Sequence, residues 1–537
     1  MKDQIIKYFT ALCDIYRPSH KEIAASNYLL KWFKDLKKKD PRIKISTFQG
    51  LKTNNLEGFD IIVDIPATKG YEKKPRTILQ SHIDMVWVTR DGHLNDKKVH
   101  WYIKDDKMRA KYSSLGADDG IGVAIIQYIV KDSKTPHGPI RVILTKDEEE
   151  DMSGAVYLPA KYCKDCKYCF NIDGEVEGEG YVMSAGVRVA KARLEIKLCP
   201  KPKQYAIPIY IKTTGGKGGH SGIEMARTVT DLKKDAGRAN CLWWTNRLLL
   251  NLIKAKVDYK ISIISHGKIL IEKNTVYTNS NKINAIPDNG DAIIYVKTPK
   301  DVAAVKKIAK ETQAELHHKH PHDTQIKIEA ITDKIPDSIN DLMVFKDGEK
   351  EKLLKTLSLI PQGVFEMSNF PGIPISTSCV TLNFKYNRGA KVIDYYLAGM
   401  PRSSKNANVE KLKEQIKKLY VGLKLKEEKD KRATELNTKN TYFIHETACA
   451  WSMDPKNHFC KLVAKAWKKR NKKPFEYKAI HGGLECGYFY KANPKLLILC
   501  LGPTMYNVHS VDEVLHLDTI TSQAQLMIDS LEMIAKQ

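Results

Sequence analysis

Apolar and polar positions follow one rhythm over roughly the first third of the chain, and another from about residue 186. Residues 1 to about 40 read as a helical pair, with IYRPSHKE supplying a turn and the start of the second helix. From residue 60 to 185, short apolar runs alternate with helical stretches, and GIGVAIIQYIV, from Gly120, predicts a buried helix entered through glycine. Strands and helices in alternation predict a sheet covered by helices on both faces.

Beyond residue 186, RVAKARLEIKLC, QYAIPIYIKTT, YKISIISHGK and DAIIYVKT have the period-2 or apolar character of strands. DLKKDAGRANCLWWTNRLLLNLI and PKDVAAVKKIAKETQAEL read as amphipathic helices, which together with these strands predict a smaller α+β domain. The lysine-rich NVEKLKEQIKKLYVGLKLKEEKDKRATELNTKN closes it. Residues 443–537 return to the first rhythm: a helix, a strand ending at LLILCLGP and a helix from about Ser510. The predicted fold is therefore two-domain: a mixed-sheet α/β domain from 1–185 plus 443–537, interrupted by an inserted α+β domain at 186–442.

Composition narrows this picture. At 537 residues the chain exceeds the usual single domain, and with 42% hydrophobic residues it can bury large cores. The net charge of +25 would suit a nucleic acid or an anionic membrane, but the lysines are scattered through every segment. No specific nucleic-acid partner is expected from such a spread. The N-terminal MKDQIIKYFTALCDIY lacks the apolar core of a secretory signal, and no run approaches the ~18 apolar residues of a membrane span. Eleven cysteines, an odd number in a long chain, argue against a disulfide framework, and a cytoplasmic location is the expectation. HHKHPHD, with His317, His318, His320 and His322, reads as a solvated loop rather than a metal tract. Cys163, Cys166 and Cys169 have C-x2-C-x2-C spacing but no following Cys-Pro at the ferredoxin distance, and Cys169 reads as a core residue.

The chemistry lies at the ends of the apolar runs. TILQSHID ends with His82 and Asp84, SLGADDGIG holds Asp118, VILTKDEEE holds Glu148 and Glu149, FNIDGE holds Asp173, and LLILCLGPTMYNVHSVDE holds His509. Open α/β sheets collect reactive groups at the carboxyl ends of their strands. Imidazoles and carboxylates gathered there suit zinc, manganese or cobalt and read as a two-metal hydrolase. Taken singly, each carboxylate is more simply a helix cap or a surface charge, and His82 a satisfied core histidine. The bland readings fail together, because all seven positions fit one mechanism.

Ten stretches in series carry a resemblance: IYRPSHKE, LQSHIDMV, LGADDGIG, LTKDEEEDMSGA, NIDGE, GGHSGIE, DAGRAN, NAIPDNG, AIHGGLECG and GPTMYNVHSVDE. They resemble the metallopeptidase family of aminoacylases, dipeptidases and tripeptidases, most closely its Xaa-His dipeptidase branch. The resemblance implies two divalent ions, zinc in the first place, with manganese or cobalt as alternatives. It assigns His82 and Asp173 to one ion and Glu149 and His509 to the other, with Asp118 bridging through its two oxygens. Asp84 would orient the His82 ring, and Glu148 would act as the general base. The inserted domain would be a lid and dimerisation domain. Its His220, among glycines that allow close backbone approach, would stabilise the oxyanion as a protonated imidazole, often across a dimer. Asn284 and Arg402 would contact substrate, with the guanidinium suited to a free carboxylate. The implied activity is hydrolysis of unblocked dipeptides, Xaa-His among them, by a homodimer without a membrane partner. The alternatives are an aminoacylase or tripeptidase of the same fold, or a catalytically silent binding protein. This chain departs from the family in having Asp119 after Asp118, Ser81 before His82, the acidic Glu150 and Asp151, and an apparent insertion at 225–234.

Overall fold

The apolar runs that end in ionisable residues form the centre of one sheet. Its strand order is Lys44–Phe48, Asp60–Ile65, Ile140–Thr145, Arg76–His82, Cys166–Asn171, Leu497–Cys500, Glu179–Tyr181, Glu476–Lys478. The four strands from Ile140–Thr145 to Leu497–Cys500 run parallel, and antiparallel partners flank them. Every residue of Ile140–Thr145 is buried, which explains why these strands read as unbroken apolar runs rather than alternating ones. Parallel strands share one carboxyl edge, so His82, the turn after Thr145 and the segment after Asn171 emerge on the same side.

The computed structural model describes residues 1–50, 57–90, 96–131, 135–267, 269–272, 275–278, 282–333, 342–428 and 439–537. The chain divides into a unit of Met1–Ser184, Ala448–Ala479 and Gly483–Gln537, and a unit of Ala185–Thr447 with Ile480–Gly482. The short excursion at 480–482 has no signal in composition.

In the first unit, the helices Lys2–Cys13 and Ile23–Lys39 form the expected N-terminal pair. The helix Ala117–Lys131 is buried along almost its whole length, and its backbone leaves helical geometry at Asp118 and Asp119. The C-terminal helix runs over Leu517–Ala535, so it starts later than Ser510. Residues 514–516 are instead a short strand, Val514–His516, paired with Lys107–Ala110.

The second unit is built on long antiparallel strands, Gly186–Cys199, Pro374–Asn387 and Val392–Ser403, the last two hairpin-paired. A four-stranded sheet, Tyr259–Ser265, Gly290–Val296, Ile207–Thr214 and Lys327–Ile331, carries the helices Cys241–Lys254 and Pro299–Lys319. Pro299–Lys319 has a capping box between Thr298 and Asp301. The other predicted helix is shorter than its pattern, because Gly237 takes φ +85° and Asn240 caps the helix at Trp243 N–H. The apparent insertion at 225–234 is a run of turns.

The histidine tract is a correction. His317 donates to Ile326 O at 2.8 Å, and the buried His320 donates to Gly237 O at 2.5 Å, so these rings fasten the helix end rather than line a solvated loop. All eleven cysteines are free thiols. Burial pushes the Cys163 thiol up to about 12 and raises Cys166 as well, the reverse of what thiolate ligands need.

Candidate functional site

In the first unit, the strand ends and two loops bring seven of the predicted residues together around Asp118. One oxygen, Oδ1, lies 3.1 Å from His82 Nε2, and that same nitrogen is 3.5 Å from Asp173 Oδ1. The other oxygen, Oδ2, lies 3.0 Å from His509 Nε2, and that nitrogen is 2.9 Å from Glu149 Oε1. The donor atoms of His82, Asp118 and Glu149 all lie within 4.8 Å of one another, as do those of His82, Asp119 and Asp173. Asp119, which the sequence showed only as a departure, is thus part of the cluster. Its Oδ2 accepts from Ser81 Oγ at 2.5 Å and from His82 N–H at 3.3 Å.

Asp84 lies just past the strand that His82 ends, and is fully buried. Its carboxylate faces His82 Nδ1 at 3.2 Å and accepts from the backbone N–H groups of Glu148 and Glu149 at 3.0 and 3.1 Å. Ser19 Oγ donates the remaining bond at 2.8 Å. One carboxylate therefore orients both the His82 ring and the turn that carries Glu148 and Glu149.

The electrostatics of this cluster are those of too many acids in one place. Burial, followed by the charges of Asp173 and Glu149, pushes Glu148 well above the usual carboxyl range. Burial, reinforced by Asp118, raises Glu149 to about 7. Burial also raises Asp173 to about 6, against the pull of the His82 hydrogen bond. Burial disfavours charge on His509, but hydrogen bonds to Asp118 and Glu149 outweigh it and lift the ring to about 11.

In the second unit, His220 and Arg402 come together and Asn284 does so only through its backbone. Arg402 is 4% exposed and pairs in register with Thr377. Its Nη2 lies 3.3 Å from His220 Nε2 and 3.4 Å from Ser221 Oγ. Asn284 keeps its side chain exposed, while its carbonyl accepts from Ser221 N–H at 2.8 Å. A Cβ at Gly222 would come within 2.2 Å of the His481 carbonyl oxygen, 3.1 Å of the His220 ring and 3.2 Å of Arg402 Nη1, so only glycine lets the chain pass here.

His220 corrects one expectation. Burial, and then the charge of Arg402, lowers it to about 4, so the ring is neutral rather than an imidazolium. Its Nδ1 accepts from Ile223 N–H at 3.1 Å, which leaves the proton on Nε2. Nε2–H and the Arg402 N–H are then two donors facing each other, an arrangement that an acceptor between them would relieve. His481 was also missed, although AIHGGLECG was noticed. It is buried, and its Nε2 lies 2.9 Å from Thr377 Oγ1.

Two further residues behind the acidic cluster escaped the sequence reading. Arg17 and Glu513 are 1% and 2% exposed, and both bond to backbone beside the predicted ligands. Arg17 stands inside IYRPSHKE, and Glu513 follows His509 by four residues, but neither position marks a metal ligand.

The chain is similar to proteins that share this arrangement of elements. Residues 78–533 match the family model described as Peptidase family M20/M25/M40. The cytosol non-specific dipeptidase of Escherichia coli (strain K12) is 25% identical over 532 residues, which cover 98% of this chain and 96% of that protein. The crystal structure of aminoacylhistidine dipeptidase from Vibrio alginolyticus superposes with a TM-score of 0.76 at 22% identity, covering 98% of this chain and 96% of that one. A tripeptidase structure from Staphylococcus aureus shares the fold more loosely, with a TM-score of 0.58 at 14% identity, covering 100% of this chain and 99% of that one. With a family match that takes in the strand bearing His82 and the loop bearing His509, the chain belongs to Peptidase family M20/M25/M40 and is a peptidase.

Proposed function

We propose that this peptidase is a two-metal dipeptidase acting on unblocked dipeptides, Xaa-His dipeptides among them. The observation that carries the metal reading is Asp118, with one oxygen facing His82 and the other facing His509. His82 and Asp173 would hold one ion, Glu149 and His509 the second, and Asp118 would be shared. The donor set fits: neutral imidazoles and carboxylates are the ligands of borderline divalent ions, zinc first, and here the carboxylates outnumber the imidazoles. Glu149 Oε1 is buried without a well-formed hydrogen bond, which suits a group shaped for another partner, and His82 turns Nε2 rather than Nδ1 toward Asp118 and Asp173. A pair of divalent ions supplies polarisation of a scissile carbonyl and acidification of a water.

The chain's own groups do the rest. Glu148, whose affinity for a proton burial and like charges raise, would as the carboxylate take a proton from the attacking water and deliver it to the leaving amine. Asp84 holds His82 in one orientation and fixes the Glu148 backbone through its N–H. The facing donors of His220 and Arg402 would read the substrate's free carboxylate, with the guanidinium bearing the charge. Neutral His220 would donate a hydrogen bond from Nε2 rather than a full positive charge. By the same reading, Ala185–Thr447 serves as a lid and dimerisation unit, Met1–Ser184 with the C-terminal segments as the catalytic unit, and the enzyme is a cytoplasmic homodimer. Among the described residues, no helix is long and apolar enough to cross a membrane.

The experiment is a substrate panel with added zinc, manganese or cobalt. It would include free dipeptides, C-terminally amidated dipeptides, tripeptides and N-acetylated amino acids. Fast turnover of free dipeptides alone is the expected result. Preferred cleavage of tripeptides or N-acetylated amino acids would replace the dipeptidase reading with one of its relatives, and turnover of none would favour a binding protein.

A further inference from the structure

Two buried, oppositely charged side chains bind the backbone of the segments that carry the proposed ligands. Arg17 Nη1 donates to the carbonyls of Ile83 and Asp84 at 3.0 and 2.7 Å, and Nη2 donates to Gly116 O at 2.5 Å. The guanidinium thereby joins the loop after His82 to the loop before Asp118. Glu513 takes the other polarity. Its Oε2 accepts from the N–H groups of Leu115 and Gly116 at 2.7 and 2.9 Å, and its Oε1 from Ala117 at 2.8 Å, with Asp118 N–H at 3.4 Å. Glu513 follows His509 by four residues, so its carboxylate joins the His509 segment to the same loop.

The packing around Arg17 has been shaped for it. A Cβ at Gly116 would lie 2.7 Å from Arg17 Nη2, and one at Gly120 would lie 2.5 Å from it. Gly116 also takes φ +67°, in the left-handed region. Gly116 and Gly120, two of the three glycines of LGADDGIG, are therefore where they are because a guanidinium fills the space beside them. Burying two charges is costly, and an apolar pair would fill the volume more cheaply. What an apolar pair would not do is satisfy the three carbonyls of Ile83, Asp84 and Gly116 and the four N–H groups of residues 115–118.

We infer that Arg17 and Glu513 are positioning residues that fix Asp118 between His82 and His509, and so set the spacing of the two metal sites. This rests on the two-metal reading above. Neither residue is a ligand. They act through backbone, and their loss lets the Asp118 loop drift relative to both histidine-bearing segments. The effect expected is that of removing an outer support from a metal ligand, a loss of about 10–100-fold in metal affinity. Because the substrate-binding groups of the second unit are untouched, kcat should fall with little change in KM.

The test uses the full-length protein, stripped of metal and titrated with zinc by calorimetry and with cobalt by visible absorption. Three variants are compared: Glu513→Gln, which keeps size but turns an NH2 toward N–H donors, Arg17→Lys, which keeps charge but loses the fork, and Asp529→Asn as a control. Asp529 is buried on the C-terminal helix and bonds to Arg470 and Gln525, away from the ligand segments. The expected result is two ions on the wild type, a weakened site and an altered cobalt spectrum in both test variants, and unchanged metal binding in Asp529→Asn despite its lower melting temperature. Wild-type metal affinity and spectrum in Glu513→Gln and Arg17→Lys would overturn the inference, leaving a purely structural role, and so would failure of both to fold. A wild type that binds no metal would instead remove the two-metal reading itself, and this inference with it.

Discussion

The two units pose opposite electrostatic problems. Around Asp118, the first unit gathers Asp84, Asp119, Asp173, Glu148 and Glu149 against two imidazoles, and burial pushes several of these acids toward their neutral forms. Around Arg402, the second unit gathers a buried guanidinium and the imidazoles of His220 and His481, and burial together with Arg402 holds both rings neutral, at about 4 and about 3. Acids that outnumber the basic groups beside them fit positive charge from outside, and a buried guanidinium among neutral rings fits an anion. The contrast teaches that each cluster's ligand class can be argued from its own charge imbalance.

The comparison breaks most visibly at the base. Glu148→Gln keeps the side chain's size and its place in the acidic cluster but cannot accept a proton. Turnover should fall by roughly 10²–10⁴, the usual scale of general-base catalysis, with metal content retained. Steady-state rates measured beside elemental analysis decide this, and near-normal turnover would remove Glu148 from the mechanism.

The second unit's half of the comparison is sharpened by Arg402→Met. If the guanidinium reads a substrate carboxylate, free dipeptides should lose roughly 10–100-fold in kcat/KM, on the scale of a charge-assisted hydrogen bond. Amidated dipeptides should lose little. The ratio of the two substrates in wild type and variant is the measurement. An unchanged ratio would mean that the anion site serves some other group.

The smallest effects are on stability, and they run in opposite directions in the two units. Glu22 is fully buried, and burial, then the charge of Asp84, raises it from 4.5 to about 8. Between those values the unfolded chain has lost a proton that the folded chain keeps, so stability should fall as pH rises through that window. His481 is lowered from 6.5 to about 3, so the unfolded chain gains a proton first and stability should fall as pH drops below 6.5. Melting of the metal-free protein at pH 5 and pH 8 checks the first. Glu22→Gln should raise the melting temperature at pH 8 by several degrees and leave pH 5 nearly unchanged. An equal effect at both values would show that Glu22 does not titrate in this range.

Legibility in the sequence followed locality. His82, Glu148, Glu149 and Asp173 could be picked out because buried parallel strands are apolar along their whole length, and an ionisable residue just past such a run stands out, whereas Asp118 opens the buried helix Ala117–Lys131 and was marked by its motif. The N-terminal helical pair and Pro299–Lys319 were legible for the same local reason, through turn and capping signals. Arg17 and Glu513 were not, because their role lies in bonds to backbone more than sixty and nearly four hundred residues away, and backbone leaves no mark in composition. His481 was hidden in the same way, since its partners lie about eighty to over 250 residues earlier in the chain. The hairpin of Pro374–Asn387 and Val392–Ser403 was missed because about half of each strand is buried on both faces and lacks the alternation that marks a half-buried strand. The protonation state of His220 was beyond the sequence altogether, because it depends first on how deeply the ring is buried and then on how closely Arg402 approaches.

The most direct test of the central claim is metal stoichiometry. Protein stripped by chelation, reloaded with zinc and freed of excess should carry two ions per chain by elemental analysis, and Asp118→Asn should disturb both sites at once, because its two oxygens face both histidines. Two ions in the wild type, with restored dipeptide hydrolysis and a joint loss in the variant, is the predicted result. A reloaded wild type with no bound metal, or with dipeptidase activity untouched by chelation, would contradict the account.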